Sequence, residues 1–221
     1  MADVTPAKRK FGDISTVTLY VGATKIRFQV HEDLLCEASS FFNTAFHSHF
    51  KEGAEKEMTL PEDDAELFDV FVQWLYHQHY EIPASDLGRG YLLQTMRLYI
   101  LADKYQITKF KTNIVDTLVI RSKTDKTPPS FIAAHHIYAN TPAKSGMRRM
   151  IADWYACMSS ASWWQQDTTQ EWLRKHSDLA VDLIVSWSKH KRLSKKDFPP
   201  KDMVDGSGYY DDYDDSSTKS P

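Results

Sequence analysis

Apolar and polar positions alternate along the first ordered stretch of the chain. Val17, Leu19 and Val21 are set against Thr16, Thr18 and Tyr20, and Ile26, Phe28 and Val30 against Lys25, Arg27 and Gln29. A period of two puts each apolar set on one face, so the pattern predicts two strands with one buried side. Gly22, Ala23 and Thr24 between them suit a tight hairpin connection. From His31 the period lengthens: Leu34, Leu35 and Ala38 predict a short helix, and Ser39 or Ser40 can cap a second by accepting hydrogen bonds from its free amides. Phe42, Phe46 and Phe50 recur every four residues, which places their rings along one face of that second helix, and Gly53 marks its end near there. Met58 and Leu60 give a brief strand that stops at Pro61.

Asp63 and Asp64 supply carboxylates where a helix N-terminus favours them, and Leu67, Phe68, Phe71, Val72 and Leu75 form the apolar stripe behind them. Leu92, Leu93, Met96, Tyr99 and Ile100 predict the next helix, and Phe110, Ile114, Val115 and Leu118 the one after it. A mixed α+β module thus closes near Arg121, with a small sheet on one side and helical hairpins covering it. Residues 122–129 are polar and end in Pro128 and Pro129, which reads as a linker because proline restricts the residue before it. Helices resume over 130–190. Met147, Met150, Ile151, Trp154 and Met158 make one stripe, and Leu179, Leu183, Ile184 and Trp187 a last one, all expected to be packed. The expected organisation is a disordered N-terminus over 1–12, the α+β module over 13–121, the linker, the helical region, and a tail over 191–221. That tail is basic and then rich in Gly, Ser, Tyr and Asp, too poor in apolar surface to offset its ordering entropy, so disorder is expected throughout it.

Composition narrows the function classes. With 42% hydrophobic and 26% charged residues in 221, the chain has the make-up of a globular protein, large enough for two units at most. A formal net charge of -3 leaves no global basic field for nucleic acid. No run of about eighteen apolar residues is present to span a membrane, and the first residues hold no signal-peptide core. Cys36 and Cys157 are the only cysteines among the 221 residues, too few for a disulfide framework, which fits an intracellular protein of the cytoplasm or nucleus. Lys8, Arg9 and Lys10 could be read by nuclear import machinery or be only a solvated basic terminus.

The order of these pieces resembles the BTB/POZ family. Val17, Thr18 and Leu19, then Phe28, Val30, His31, Leu34 and Leu35, are similar to its opening hairpin and the His-x-x-Leu-Leu start of its first helix. Ser39, Phe41 and Phe42 stand where the family has a Ser-x-x-Phe pattern. Leu60 to Asp64 resemble its third strand and helix start, Phe71 and Trp74 to Tyr76 its middle helix, and Leu98 to Tyr105 a later one. The wording of Leu60 to Asp64 with Trp74 to Tyr76 is especially similar to fungal members. The resemblance implies a BTB/POZ fold and a protein-binding role, by self-association or by docking on the cullin scaffold of a ubiquitin ligase. Members that form swapped dimers carry a helix and strand ahead of the first core strand. About a dozen residues precede it here, short for both elements, so a monomer or weak homodimer is expected.

Phe50, Lys51 and Glu52 match the apolar-x-Glu pattern of cullin-binding members and are the candidate docking residues. An apolar ring can enter a groove while a carboxylate meets a basic rim. The competing reading makes Phe50 the last ring of the Phe42 and Phe46 core stripe and Glu52 merely solvated. The closest histidine clusters, His135 with His136 and His47 with His49, lack cysteine partners at zinc-site spacing, so no metal is expected. His31 reads as a structural hydrogen-bonding residue, and Cys36 as an inert thiol in a helix. Gly88 and Gly90 have no phosphate-loop lysine after them, no catalytic constellation is visible, and no cofactor is called for. Trp154, Trp163, Trp164, Trp172 and Trp187 could line a partner groove, with core the commoner fate and one of the adjacent Trp163 and Trp164 expected to face out. The Tyr-Asp tail could bind a basic partner, be phosphorylated, or serve solubility. The leading expectation is a substrate adaptor whose module holds one protein, and whose helical region holds another. The alternatives are a ligase-independent or transcription-linked scaffold, and an enzyme with a site in the Trp-rich half.

Overall fold

The computed structural model describes residues 15–82, 89–124, 127–189 and 206–211. The expected N-terminal segment 1–12, with its basic cluster, lies outside them, as do Gly88 and most of the tail. The chain divides into two compact units, Met1–Glu81 and Ile82–Pro221.

In the first unit, strands β1 (Thr16–Val21) and β2 (Ile26–His31) form the expected antiparallel hairpin, with Val17 opposite Val30 and Leu19 opposite Phe28. The turn places Gly22 and Lys25 in the left-handed region at φ 78° and 54°, and Gly22 meets that demand without steric cost. Helices α1 (Glu32–Ala38), α2 (Ser40–His47) and α3 (Lys51–Glu55) then carry the chain across to strand β3 (Glu57–Leu60), which pairs parallel to β1. A parallel pair requires such a crossover. The sheet order is therefore β2-β1-β3, and the central strand buries Val17, Leu19 and Val21 completely.

Helix α4 (Ala65–His77) begins where the paired aspartates predict: the Asp64 carboxylate accepts from the amides of Glu66 and Leu67. Its stripe of Leu67, Phe68, Phe71, Trp74 and Leu75 is buried, with the Phe68 ring 5.2 Å from that of Phe28. His31 ties the hairpin to this helix. Its ring Nδ1 lies 2.8 Å from the Tyr76 hydroxyl, and its backbone N–H donates to the same oxygen at 3.1 Å.

The second unit is helical. In α5 (Arg89–Lys104) the buried face runs through Met96, Tyr99 and Ala102, and in α6 (Thr108–Ser122) through Phe110, Ile114, Val115 and Leu118. Ser130 caps α7 (Phe131–Asn140) by accepting from the Ala133 amide. Helix α8 (Gly146–Met158) is the axis of the unit: Met147, Met150, Ile151, Trp154 and Met158 are all buried, and so are Arg148 and Asp153. The Arg148 guanidinium donates to the Tyr138 carbonyl at 2.7 Å and also to the Thr141 carbonyl, closing the α7–α8 connection. Short helices α9 (Ala161–Trp164) and α10 (Asp167–Lys175) follow, then α11 (Ser177–Lys189).

Two helical stripes depart from the sequence expectation. Phe50 does not lie on α2, which ends at His47. The Ser48 hydroxyl bonds the Ala45 carbonyl at 2.9 Å and accepts from the Phe50 amide at 3.3 Å, so it competes with continuation of the helix. On α11 the buried stripe is Leu179, Leu183 and Ser186, with Ile184 64% and Trp187 40% exposed. Buried Asp153 demands donors, and α11 turns Ser186 toward it, where the hydroxyl donates at 2.6 Å. Trp187 is left at the edge, its indole N–H reaching the Ala156 carbonyl at 3.3 Å.

The tail is ordered over Gly206–Asp211, where Ser207–Tyr209 form a 3₁₀ turn and Tyr209 is fully buried. Burying one aromatic ring and pairing one carboxylate supply what the composition of the tail as a whole lacks. The tryptophans are mostly packing residues. Trp163 packs against both Phe131 and Tyr155 at centroid distances of 5.0 and 5.6 Å, and Trp164 meets Tyr155 edge-on, so both rings are half-buried rather than one facing out.

Candidate protein-docking site

The edge of the first unit formed by α2 and α3 carries the candidate residues. Ser39 opens α2 by accepting from the Phe42 amide at 3.1 Å, and the helix then drives Phe42 and Phe46 into the core, at 0% and 1% exposure. After the Ser48 stop, Phe50 becomes the N-cap of α3 and its ring is 72% exposed. The Phe50 carbonyl accepts from the amides of Gly53 and Ala54, at 3.1 and 3.3 Å. Gly53 is required for this turn, because a Cβ there would overlap the Ser48 carbonyl. Lys51 points outward and pairs with Glu55 at 3.5 Å, both largely exposed, while Glu52 is half-buried.

Lys56 anchors the turn from the other side. It takes a left-handed conformation at φ 55°, unusual for a lysine, and its amide closes α3 on the Glu52 carbonyl. Its ammonium donates to Glu32 at 2.6 Å and to the Phe46 carbonyl at 3.0 Å. Glu32 also accepts from Ser15 at 2.7 Å. Burial pushes the Glu32 carboxyl up, but the Lys56 and Ser15 hydrogen bonds outweigh it and hold the group below its ordinary value. Sequence reasoning missed Lys56, since no local pattern marks a lysine that will adopt a positive φ.

Glu32, Cys36 and His47 bring one possible metal-ligating atom each to within 4.8 Å of one another. The chemistry of the set disfavours a metal ion: the Lys56 ammonium already sits on the Glu32 carboxylate. Burial, with Glu32 nearby, also pushes the Cys36 thiol up to about 11, away from the thiolate that a metal needs. Elsewhere, His135 lies 2.9 Å from a ring nitrogen of His176, while the rings of the sequence neighbours His135 and His136 are 6.4 Å apart between centroids. Among the described residues no helix is long and apolar enough to cross a membrane.

The first unit is a small sheet backed by helices that presents an exposed phenylalanine on a braced turn, a residue type that can anchor a protein interface. The BTB/POZ domain model matches residues 7–121, which include the described part of the first unit and helices α5 and α6. The chain belongs to the BTB/POZ domain family, whose domains mediate contacts between proteins. No curated protein matches the chain significantly.

Proposed function

We propose that this chain is a substrate adaptor for a cullin-type ubiquitin ligase. The first unit docks the scaffold through Phe50 and Glu52, and the helical unit holds the protein to be modified. The observation that carries this reading is the 72% exposure of Phe50 on a turn braced by Ser48, Gly53 and Lys56. A braced backbone loses little further entropy when the side chain it presents fills a pocket. Burying the Phe50 ring would contribute about 2–4 kcal/mol, the range of an interface hot spot. Glu52 stands two residues on, where its carboxylate can meet a basic rim.

Calorimetric titration of the full chain with a cullin N-terminal domain tests this, run beside a Phe50→Ala, Glu52→Lys double variant. Binding by the parent, weakened at least about 30-fold in the variant, is expected from the loss of about 2 kcal/mol. No binding by the folded parent would reject the adaptor reading in favour of a ligase-independent scaffold.

A further inference from the structure

The tail segment Gly206–Asp211 lies in a groove bordered by α5, α6 and α8, and the contacts are those of a bound peptide. The Asp211 carboxylate accepts from the Tyr99 hydroxyl at 2.8 Å, from the Lys111 ammonium and from the Gly146 amide at the start of α8. The Tyr209 ring is fully buried and its hydroxyl donates to Asp153 at 3.0 Å. The Tyr210 hydroxyl donates to Asp116 at 2.7 Å, and its backbone carbonyl accepts from Arg149 at 2.8 Å. Two positions disfavour a side chain. Gly206 has φ 81°, and a Cβ on it would strike the Asp116 carboxylate. At Gly146, on the groove side, an added Cβ would overlap the Tyr209 carbonyl.

Two of the groove's charged groups have partners besides the tail. Lys111 also pairs with Asp103 across α5 and α6, and Asp153 also accepts from Ser186 across α8 and α11. Beside the tail a cavity of about 140 Å³ stays open against Thr108, Thr112 and Val115, so the groove has room for a larger occupant. Every one of these contacts lies within the second unit.

We propose that this groove is a receptor for acidic tyrosine peptides of the form Gly-x-x-Tyr-Tyr-Asp displayed by partner proteins, with residues 206–211 as a built-in competitor. Each position of the motif meets its own feature of the groove: a left-handed glycine, a buried ring with a carboxylate for its hydroxyl, a second ring, and a carboxylate held by three donors. This deepens the adaptor reading by naming what the helical unit holds, and it rests on that reading for its biological use only. The tether to α11 raises the local concentration of the resident segment to about the millimolar range, so an outside peptide must compete with it.

The test uses the full-length chain carrying Tyr209→Ser and Asp211→Asn, which weakens the resident segment, and a fluorescein-labelled peptide of sequence Gly-Ser-Gly-Tyr-Tyr-Asp. Fluorescence polarisation is expected to show saturable binding below about 1 mM, at least tenfold tighter than to the parent chain. Adding Gly146→Ala should abolish it. A folded double variant that does not bind the peptide, or binds a scrambled peptide equally, overturns the proposal. Should the double variant not fold, the parent decides. Excess motif peptide must then speed hydrogen exchange of the amides of residues 207–211 about tenfold, where a scrambled peptide must not; unchanged exchange overturns the proposal. Cullin titration of the same preparation is independent of these readouts, so a failure here and a failure of the adaptor reading are told apart.

Discussion

Truncating two phenylalanines four residues apart should have opposite consequences. Phe46 is 1% exposed and packed among core rings, so Phe46→Ala removes a buried ring and leaves a cavity, at a cost of about 3–5 kcal/mol. Phe50 is 72% exposed. The remainder of its ring covers roughly 60 Å² of the 150–250 Å² that an aromatic side chain can bury, which at about 25 cal/mol per Å² is near 1.5 kcal/mol. Alanine retains part of that contact and opens no cavity, so Phe50→Ala should cost about 1 kcal/mol or less. Tryptophan fluorescence is a poor reporter, because of the six tryptophans only Trp74 belongs to the first unit. Hydrogen exchange of the slowest amides in β1, the central strand, reads the opening of that unit directly. Phe46→Ala should speed their exchange by about two to three and a half orders of magnitude, and Phe50→Ala by about one at most. Equal effects would mean that the Phe50 ring is part of the core, against the exposed placement described above.

Other perturbations follow from single contacts. Ser39→Ala removes the cap of α2 and should cost about 1 kcal/mol by the same exchange assay. Glu32→Gln leaves Lys56 on the Phe46 carbonyl with 38% of its side chain exposed, so a loss of about 1–2 kcal/mol is expected rather than that of a fully buried pair. Because the Glu32 carboxyl is held below its ordinary 4.5, its contribution is complete above that pH and is lost as pH falls through the lowered value. The Gln variant should lose that part of the acid sensitivity, and an unchanged pH profile would reject the assignment. Arg148→Met strands the carbonyls of Tyr138 and Thr141 inside the helical unit and should cost about 3–5 kcal/mol, read by tryptophan fluorescence in urea.

The hairpin and α4 are legible in the sequence because period and caps agree there: alternation from Thr16 to Val30, and Asp64 ahead of an apolar stripe. The parallel pairing of β3 is not, since a four-residue strand carries no mark of its partner. Sequence alone leaves Phe50 open between core and surface because its spacing from Phe46 is helical, while the stop at Ser48 depends on side-chain bonds to the backbone that a period does not encode. On α11, Ile184 and Trp187 fit an apolar stripe as well as Leu179 and Leu183 do. The helix instead faces Ser186 inward because a buried aspartate on α8 needs its hydroxyl, a tertiary demand invisible along one helix. The same holds for Asp211, whose donors Tyr99, Lys111 and Gly146 are scattered along the chain.

On the proposed adaptor reading, the first unit holds a cullin scaffold through the ring at position 50. Replacing Phe50 with the photoreactive benzoylphenylalanine, and irradiating the full chain with a cullin N-terminal domain, tests this most directly. Ile26, 48% exposed on β2, serves as the control position. A covalent adduct is expected from position 50 and none from position 26. Adduct from both positions, or from neither when each variant is folded, would contradict that reading.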